Sequence, residues 1–410
     1  MILRGLALWL VAAAGGYQLP PDKLEKAEAL YRIHVLLYFA SLALGLLVPL
    51  ALLQLRVSAR YRDLAERASR RRVVQALVYV PLVLLTMALV SLPIGIYHQH
   101  LARAYELSVQ GWGSWLGDWA KAQLVTFAIA VPMVLGLYAI VRRSPTRWWL
   151  YFWLLSAPVA VLLVFVTPVL LDPLFNTFEP LDRNQPQLVE PIERVVARAG
   201  LEIPRERLFE MKASDKVTTY NAYVTGLGAT KRVVVWDNTA RDLTVDETLF
   251  VFGHELGHYV LGHVYKLLAF ALGLLLALFW VGRRLVMWML ARWGERWGVR
   301  GIEDWASLPA FILAMSALWL AAGPITAAFS RRIEHQADVY GIEVTHGLTP
   351  EAGVVAAAAF QKLGEKGLAY PEPSPLLVFW TFDHPPLGDR IDFLLGYDPW
   401  SGPAGPAYVK

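Results

Sequence analysis

The chain has 410 residues, 56% of them hydrophobic and only 18% charged, with 16 Trp, where soluble domains carry about 25% charged residues. That balance excludes an ordinary soluble globular protein and fits a multi-pass membrane protein. A net charge of +4 carries little by itself, and the absence of Cys excludes disulfides, zinc–thiolate sites and thiol nucleophiles.

At the start, "MILRGLALWLVAAAGGY" has Arg4, an apolar run from Leu6 and small residues before Gly16. Residues 1–17 therefore read as a signal peptide or a short N-terminal anchor. Four uncharged runs follow within residues 18–171, at 35–53, 74–97, 122–141 and 148–171. Two more lie at 267–282 and 308–329. A helix needs about 20 apolar residues to cross a bilayer, so six spans are expected. The 267–282 run is short, and the following "LVMWML" can complete it.

Arginine placement predicts orientation. The connection at 54–73 holds seven arginines, that at 142–147 three and that at 283–307 five, whereas 98–121 holds only Arg103 and Lys121. If the spans alternate, the arginine-rich connections share one side, predicted to be cytoplasmic. The polar segments 172–266 and 330–410 then share the other, as in a bacterial inner-membrane protein with an extracytoplasmic site. His98 and His100 are expected in a surface loop.

In the first polar segment, "QPQLVEPIERVVARAG" predicts a helix closed by Gly200. "RLFEMKA" and "RVVVWDN" predict strands, with an extended "YNAYVTGLGAT" between them that turns at Gly226 and Gly228. Thr244 and Glu247 predict a capping box that opens a helix through "VFGHELGHYVLGH". In the second segment, "RRIEHQADVYG" continues the last span as helix. Thr349 and Pro350 predict the start of another helix, running to about Gly364. The tail "PWSGPAGPAYVK" is expected to be loose.

His254, Glu255 and His258 form H-E-x-x-H. One helical turn apart, His254 and His258 lie about 40° from each other around the axis and can share one tetrahedral Zn²⁺. Glu255 lies beside them, placed to reach an activated water. His263 is nine residues from His254, about 180° around an unbroken helix, so it is expected to face away as a packing or interfacial histidine. A catalytic zinc takes three protein ligands. Glu334 is the expected third, with Asp338 one turn on to hold a ligating histidine from behind. His335 is the chemical rival, but Asp338 does not share its face.

These motifs resemble the type I CAAX prenyl proteases, membrane-embedded zinc metallopeptidases. The resemblance rests on "DPLFNTFEPL", "NAY" at Asn221–Tyr223, "KRVVVWDNT" at Lys231–Thr239, "HELGH" at His254–His258, "SRRIEHQAD" at Ser330–Asp338 and "HPPLGDRI" at His384–Ile391. Their order matches the family's and covers roughly residues 35 to 395. The resemblance implies a mainly α multi-pass membrane protein carrying a zincin-like α+β metallopeptidase domain. It implies one Zn²⁺ on His254, His258 and Glu334, with Glu255 as catalytic base and acid and Asp338 behind the ligands. It also implies an edge strand with Asn221, Ala222 and Tyr223 pairing with substrate, His384 near the developing oxyanion and Arg390 contacting substrate.

The expected partners are the bilayer and a peptide or protein substrate, lipidated or membrane-inserted, with no nucleic acid. The arginine count departs from the eukaryotic members, whose site faces the cytosol, and so favours membrane or exported segments over prenylated cytosolic proteins. A transporter would carry charges inside its spans, and these spans have none. A silent zinc scaffold would not need Glu255.

Overall fold

The computed structural model describes residues 16–226, 231–403 and 405–409. The expectations for residues 1–15 and Gly228 fall outside these. Among the described residues six helices are long and apolar enough to cross a membrane. They are built on α1 (Pro21–Gln54), α3 (Arg72–Ala104), α4 (Trp112–Arg143), α5 (Trp148–Val166), α8 (His263–Trp297) and α9 (Leu308–Thr345). The fourth span runs on from α5 through a π turn at Thr167–Leu171 to Phe175. Pro168 sits in that turn, where a missing N–H breaks the regular ladder. Leu36, Leu124 and Leu162 are well exposed on these helices, as side chains facing hydrocarbon should be.

The arginine-rich connections meet at one end of the bundle. The first contains α2 (Val57–Ala68), which buries Ser58, Ala59, Arg62 and Ala65, positions that share one helical face. Arg62 reaches Asp304 Oδ2 at 2.6 Å and the Gly298 carbonyl at 2.9 Å, tying the first connection to the last. Arg56 Nε donates to the Arg296 carbonyl, and the Arg142 guanidinium lies 5.8 Å from the Trp305 ring centroid. Tyr79, Tyr138 and Trp305 are fully buried there with their polar atoms bonded to Ser58, Ser307 and Gln75.

The other end carries the mixed α/β part. Its four-stranded sheet has the order β1-β2-β4-β3, with β1 at Phe178–Pro180, β2 at Leu208–Met211, β3 at Ala222–Thr225 and β4 at Arg232–Trp236. β2 and β4 are parallel, while β3 pairs antiparallel with β4 and, among the described residues, leaves its far edge open. Leu188, Ile192 and Val195 of α6 (Pro186–Arg198) and Phe250, Phe252 and Leu256 of α7 (Val245–Val260) share one core with Val233 and Val235. Tyr17 joins this core, and Lys23 at the start of α1 pairs with Glu365 of α10 (Ala352–Gly367). The first span therefore begins at the α/β end.

Several local expectations are corrected. Helix α8 runs through the expected connection to Trp297, so four of its five arginines are helical. His98 and His100 likewise lie on α3, not in a loop. α10 starts at Ala352, because Thr349 closes the preceding helix instead: its N–H and hydroxyl both bond the Thr345 carbonyl. The tail is tied down, since fully buried Glu343 accepts the backbone N–H groups of Ala407, Tyr408 and Val409 and the Tyr397 hydroxyl. Such a buried carboxylate is tolerable only with donors around it, and the tail supplies them.

Candidate active site

Helix α7 opens with a capping box between Thr244 and Glu247, and Lys362 reaches the buried Glu247 carboxylate at 2.7 Å. This fixed start sets the rotation of His254, Glu255 and His258. Helix α7 then lies against α9 at glycine contacts. A Cβ on Gly253 would meet Val344 at 2.9 Å, and one on Gly257 would meet Tyr340 at 2.9 Å. That close approach brings the two parts of the site together.

His254 Nε2 lies 3.2 Å from His258 Nε2 and 3.4 Å from Glu334 Oε2, and His258 Nε2 lies 3.5 Å from Glu334 Oε1. Ligands about 2.0–2.1 Å from one tetrahedral ion stand about 3.3 Å apart, and the three distances bracket that value. Glu334 Oε2 is buried and makes no well-aligned hydrogen bond to the nitrogens around it, which a cation would compensate. The trio thus fits a divalent metal.

Electrostatics agree with that geometry. Burial and neighbouring His254 push the His258 ring down to about 3, so it is neutral, as a ligand must be. Burial alone would lower His254, but Asp338 and Glu334 outweigh it and lift the ring to about 9; a metal would take the place of that proton. Burial pushes the Glu255 carboxyl up to about 7, within reach of base chemistry at neutral pH.

Around the trio, His254 Nδ1 is 2.9 Å from Asp338 Oδ1, close in distance but imperfect in angle. Asp338 is held in turn by Arg390, through Nε at 2.9 Å and Nη2 at 2.6 Å. Arg390 is buried over the Phe360 ring, with Nη2 3.8 Å from Glu334. Its guanidinium is therefore committed first to Asp338. His384 precedes α12 (Leu387–Gly396) and is half exposed, with Nε2 3.2 Å from Glu334 Oε2 and Nδ1 2.8 Å from Asp383. Asp383 raises the His384 ring above its ordinary value. Arg331 pins the approach to His384 by donating to the carbonyls of Val378 and Phe382, beside α11 (Pro375–Thr381). Asn221 and Tyr223 lie at and within open-edged β3, and Ala222 between them is buried; α7 packs against that strand.

His335 stays out of the trio, stacked edge-on against Phe393. His263 is the clear correction. It does not face away: Gly262 takes a left-handed φ of 66°, the helix breaks, and His263 Nδ1 turns back to 3.0 Å from His258 Nδ1. Sequence reasoning also passed over Asp383, Arg331 and Gln336. The adjacency of Asp383 to His384, and a glycine directly before His263, were the available signals.

The sequence profile of Peptidase family M48 matches residues 182–398, and the profile described as CAAX prenyl protease N-terminal, five membrane helices, matches residues 12–177. The chain is 36% identical over 375 residues to YhfN of Bacillus subtilis, described as an uncharacterized metalloprotease, covering 90% of this chain and 85% of that one. It is 25% identical over 390 residues to the human CAAX prenyl protease 1 homolog, covering 83% and 77%. The crystal structure of S. mikatae Ste24p shares its fold, with a TM-score of 0.77 over 95% of this chain and 94% of that one at 22% identity. The chain accordingly belongs to peptidase family M48, with homologues among the CAAX prenyl proteases, and is a multi-pass integral-membrane metalloprotease.

Proposed function

We propose that the chain is a zinc-dependent endopeptidase whose metal is held by His254, His258 and Glu334. The observation that carries this is the convergence of the two imidazole Nε2 atoms, 3.2 Å apart, on the Glu334 carboxylate, whose two oxygens lie 3.4 and 3.5 Å from them. Two neutral imidazoles and a carboxylate suit zinc, and an open fourth position suits catalysis. When bound, zinc supplies Lewis acidity, lowering the pKa of a coordinated water and polarising a carbonyl.

The chain's own residues supply the rest. Glu255 accepts the proton of the attacking water and returns it to the leaving amine. His384, whose protonated form Asp383 favours, donates to the carbonyl oxygen as negative charge develops on it. Asn221, Ala222 and Tyr223 offer the open edge of β3, to which an extended peptide adds by main-chain hydrogen bonds. Such pairing reads backbone more than side chains and supports broad specificity. Asp338 braces His254, and Arg390 acts on substrate through the N–H capacity that its pair with Asp338 leaves over.

The α/β end is assigned to the extracytoplasmic face of a bacterial inner membrane. Support comes from the arginines gathered at the opposite end and from the start of α1 on the α/β side. Substrates there are segments of membrane or exported polypeptides, with no requirement for a prenyl group; a lipidated segment remains compatible with the same strand pairing. The decisive test is Glu255→Gln. It is expected to keep one zinc per chain and lose cleavage of an unstructured peptide. Cleavage retained by that variant would overturn the mechanism.

A further inference from the structure

We infer that His263 is a positioning residue for the zinc site, fixing the tautomer of His258 through a hydrogen-bond relay that begins at Gln336. The inference rests on the zinc reading above. Its geometry is a chain of three side chains from three helices, α7, α8 and α9. Gln336 Oε1 lies 3.1 Å from His263 Nε2, and His263 Nδ1 lies 3.0 Å from His258 Nδ1. His263 is fully buried, and its two partners are partly buried.

Donor and acceptor rules order the chain from its Gln336 end. An amide oxygen only accepts, so His263 Nε2 carries the proton. A neutral imidazole has one N–H, so His263 Nδ1 is a bare acceptor. His258 Nδ1 must then be the donor, and its proton sits on that side of the ring. His258 Nε2 is consequently bare and points at His254 and Glu334, the form in which an imidazole binds a metal. Turning the Gln336 amide over would reverse every step and place a proton on the metal-facing nitrogen.

The two histidine ligands are therefore braced by different chemistry. His254 has a carboxylate behind it, in Asp338, while His258 has a second, neutral imidazole. A carboxylate adds negative charge to the site and an imidazole adds none, so His263 orients His258 without making the trio more anionic. The relay also runs from α9 back to α7, so the helix that supplies Glu334 also orients His258.

The test compares zinc affinity, by chelator competition on detergent-purified protein, across three variants. His258→Ala is the control for the ligand reading and is expected to lose tight binding; wild-type affinity there would overturn that reading itself. His263→Phe keeps a buried ring but removes both nitrogens, and should weaken binding about 10- to 100-fold, the usual cost of losing a residue that braces a ligand. His263→Asn loses ring volume but places its amide oxygen where Nδ1 stood, and should recover most of the affinity. A packing role predicts the reverse order, with Phe tolerated and Asn damaging. Binding in His263→Phe equal to wild type, or weaker binding in His263→Asn than in His263→Phe, would overturn the relay while leaving the ligand reading intact.

Discussion

Gly341 and His254 meet backbone to backbone: a Cβ on Gly341 would lie 3.0 Å from the His254 nitrogen and 3.1 Å from its Cα. The obstructing atoms are main chain and cannot swing aside. Gly341→Ala should therefore push the two helices apart, at about 1–3 kcal/mol of stability, and lower zinc affinity with it. Gly273→Ala, with nothing within 4 Å of the added carbon, is the matched control. Thermal unfolding and zinc titration of both variants check this; equal behaviour would remove the helix contact from the site's assembly.

Arg390 and Asp338 are a buried bidentate pair, each less than a tenth exposed. Arg390→Met leaves the carboxylate without its main donor and should cost about 3–5 kcal/mol. Pairing it with Asp338→Leu removes the orphaned charge, so the double variant should recover stability. It should not recover zinc affinity, because His254 still lacks its brace. Denaturant unfolding and zinc competition on the same samples separate these effects.

Stripping the metal with a chelator should stop cleavage, and added zinc should restore it. Unfolding should also shift, because an ion that binds only the folded state stabilises it by about 2.7 kcal/mol at one hundred times its Kd. A thermal midpoint unmoved by zinc would argue against His254, His258 and Glu334 as a single site.

Arg331 donates to the Val378 and Phe382 carbonyls at 2.8 and 2.7 Å and so holds the segment that delivers His384. Arg331→Met should lower kcat several-fold while zinc affinity stays unchanged. Loss of zinc in this variant would show that the segment supports the trio itself.

The membrane orientation can be read from a chain that has no native Cys. A cysteine at Arg60, exposed on α2, should be shielded from an impermeant thiol reagent in intact cells. One at Glu206, exposed in the α/β part, should be labelled. The reverse pattern would place catalysis in the cytoplasm and reopen prenylated cytosolic substrates.

The spans were legible because a bilayer allows so few solutions: six uncharged runs fell inside six long helices. The capping box at Thr244 and Glu247 was legible because both partners lie within four residues. His263 was misread for a physical reason. Its angle was counted on a continuous helix, and one left-handed glycine made that count meaningless. The tail was misread because its anchor, Glu343, is more than sixty residues away, and a buried acceptor leaves no local trace. Gln336, too, gains its meaning only when a residue 73 positions earlier folds against it.

The joint at Gly262 is where the chain passes from α7 toward the bilayer. Adding one residue there would leave hydropathy, charge pattern and H-E-x-x-H all intact. It would also turn His263 by about 100° about the next helix, away from His258. Insertions and deletions are usually absorbed at connections between helices, but at this joint a single-residue change in length would weaken metal binding in a protein that still inserts normally.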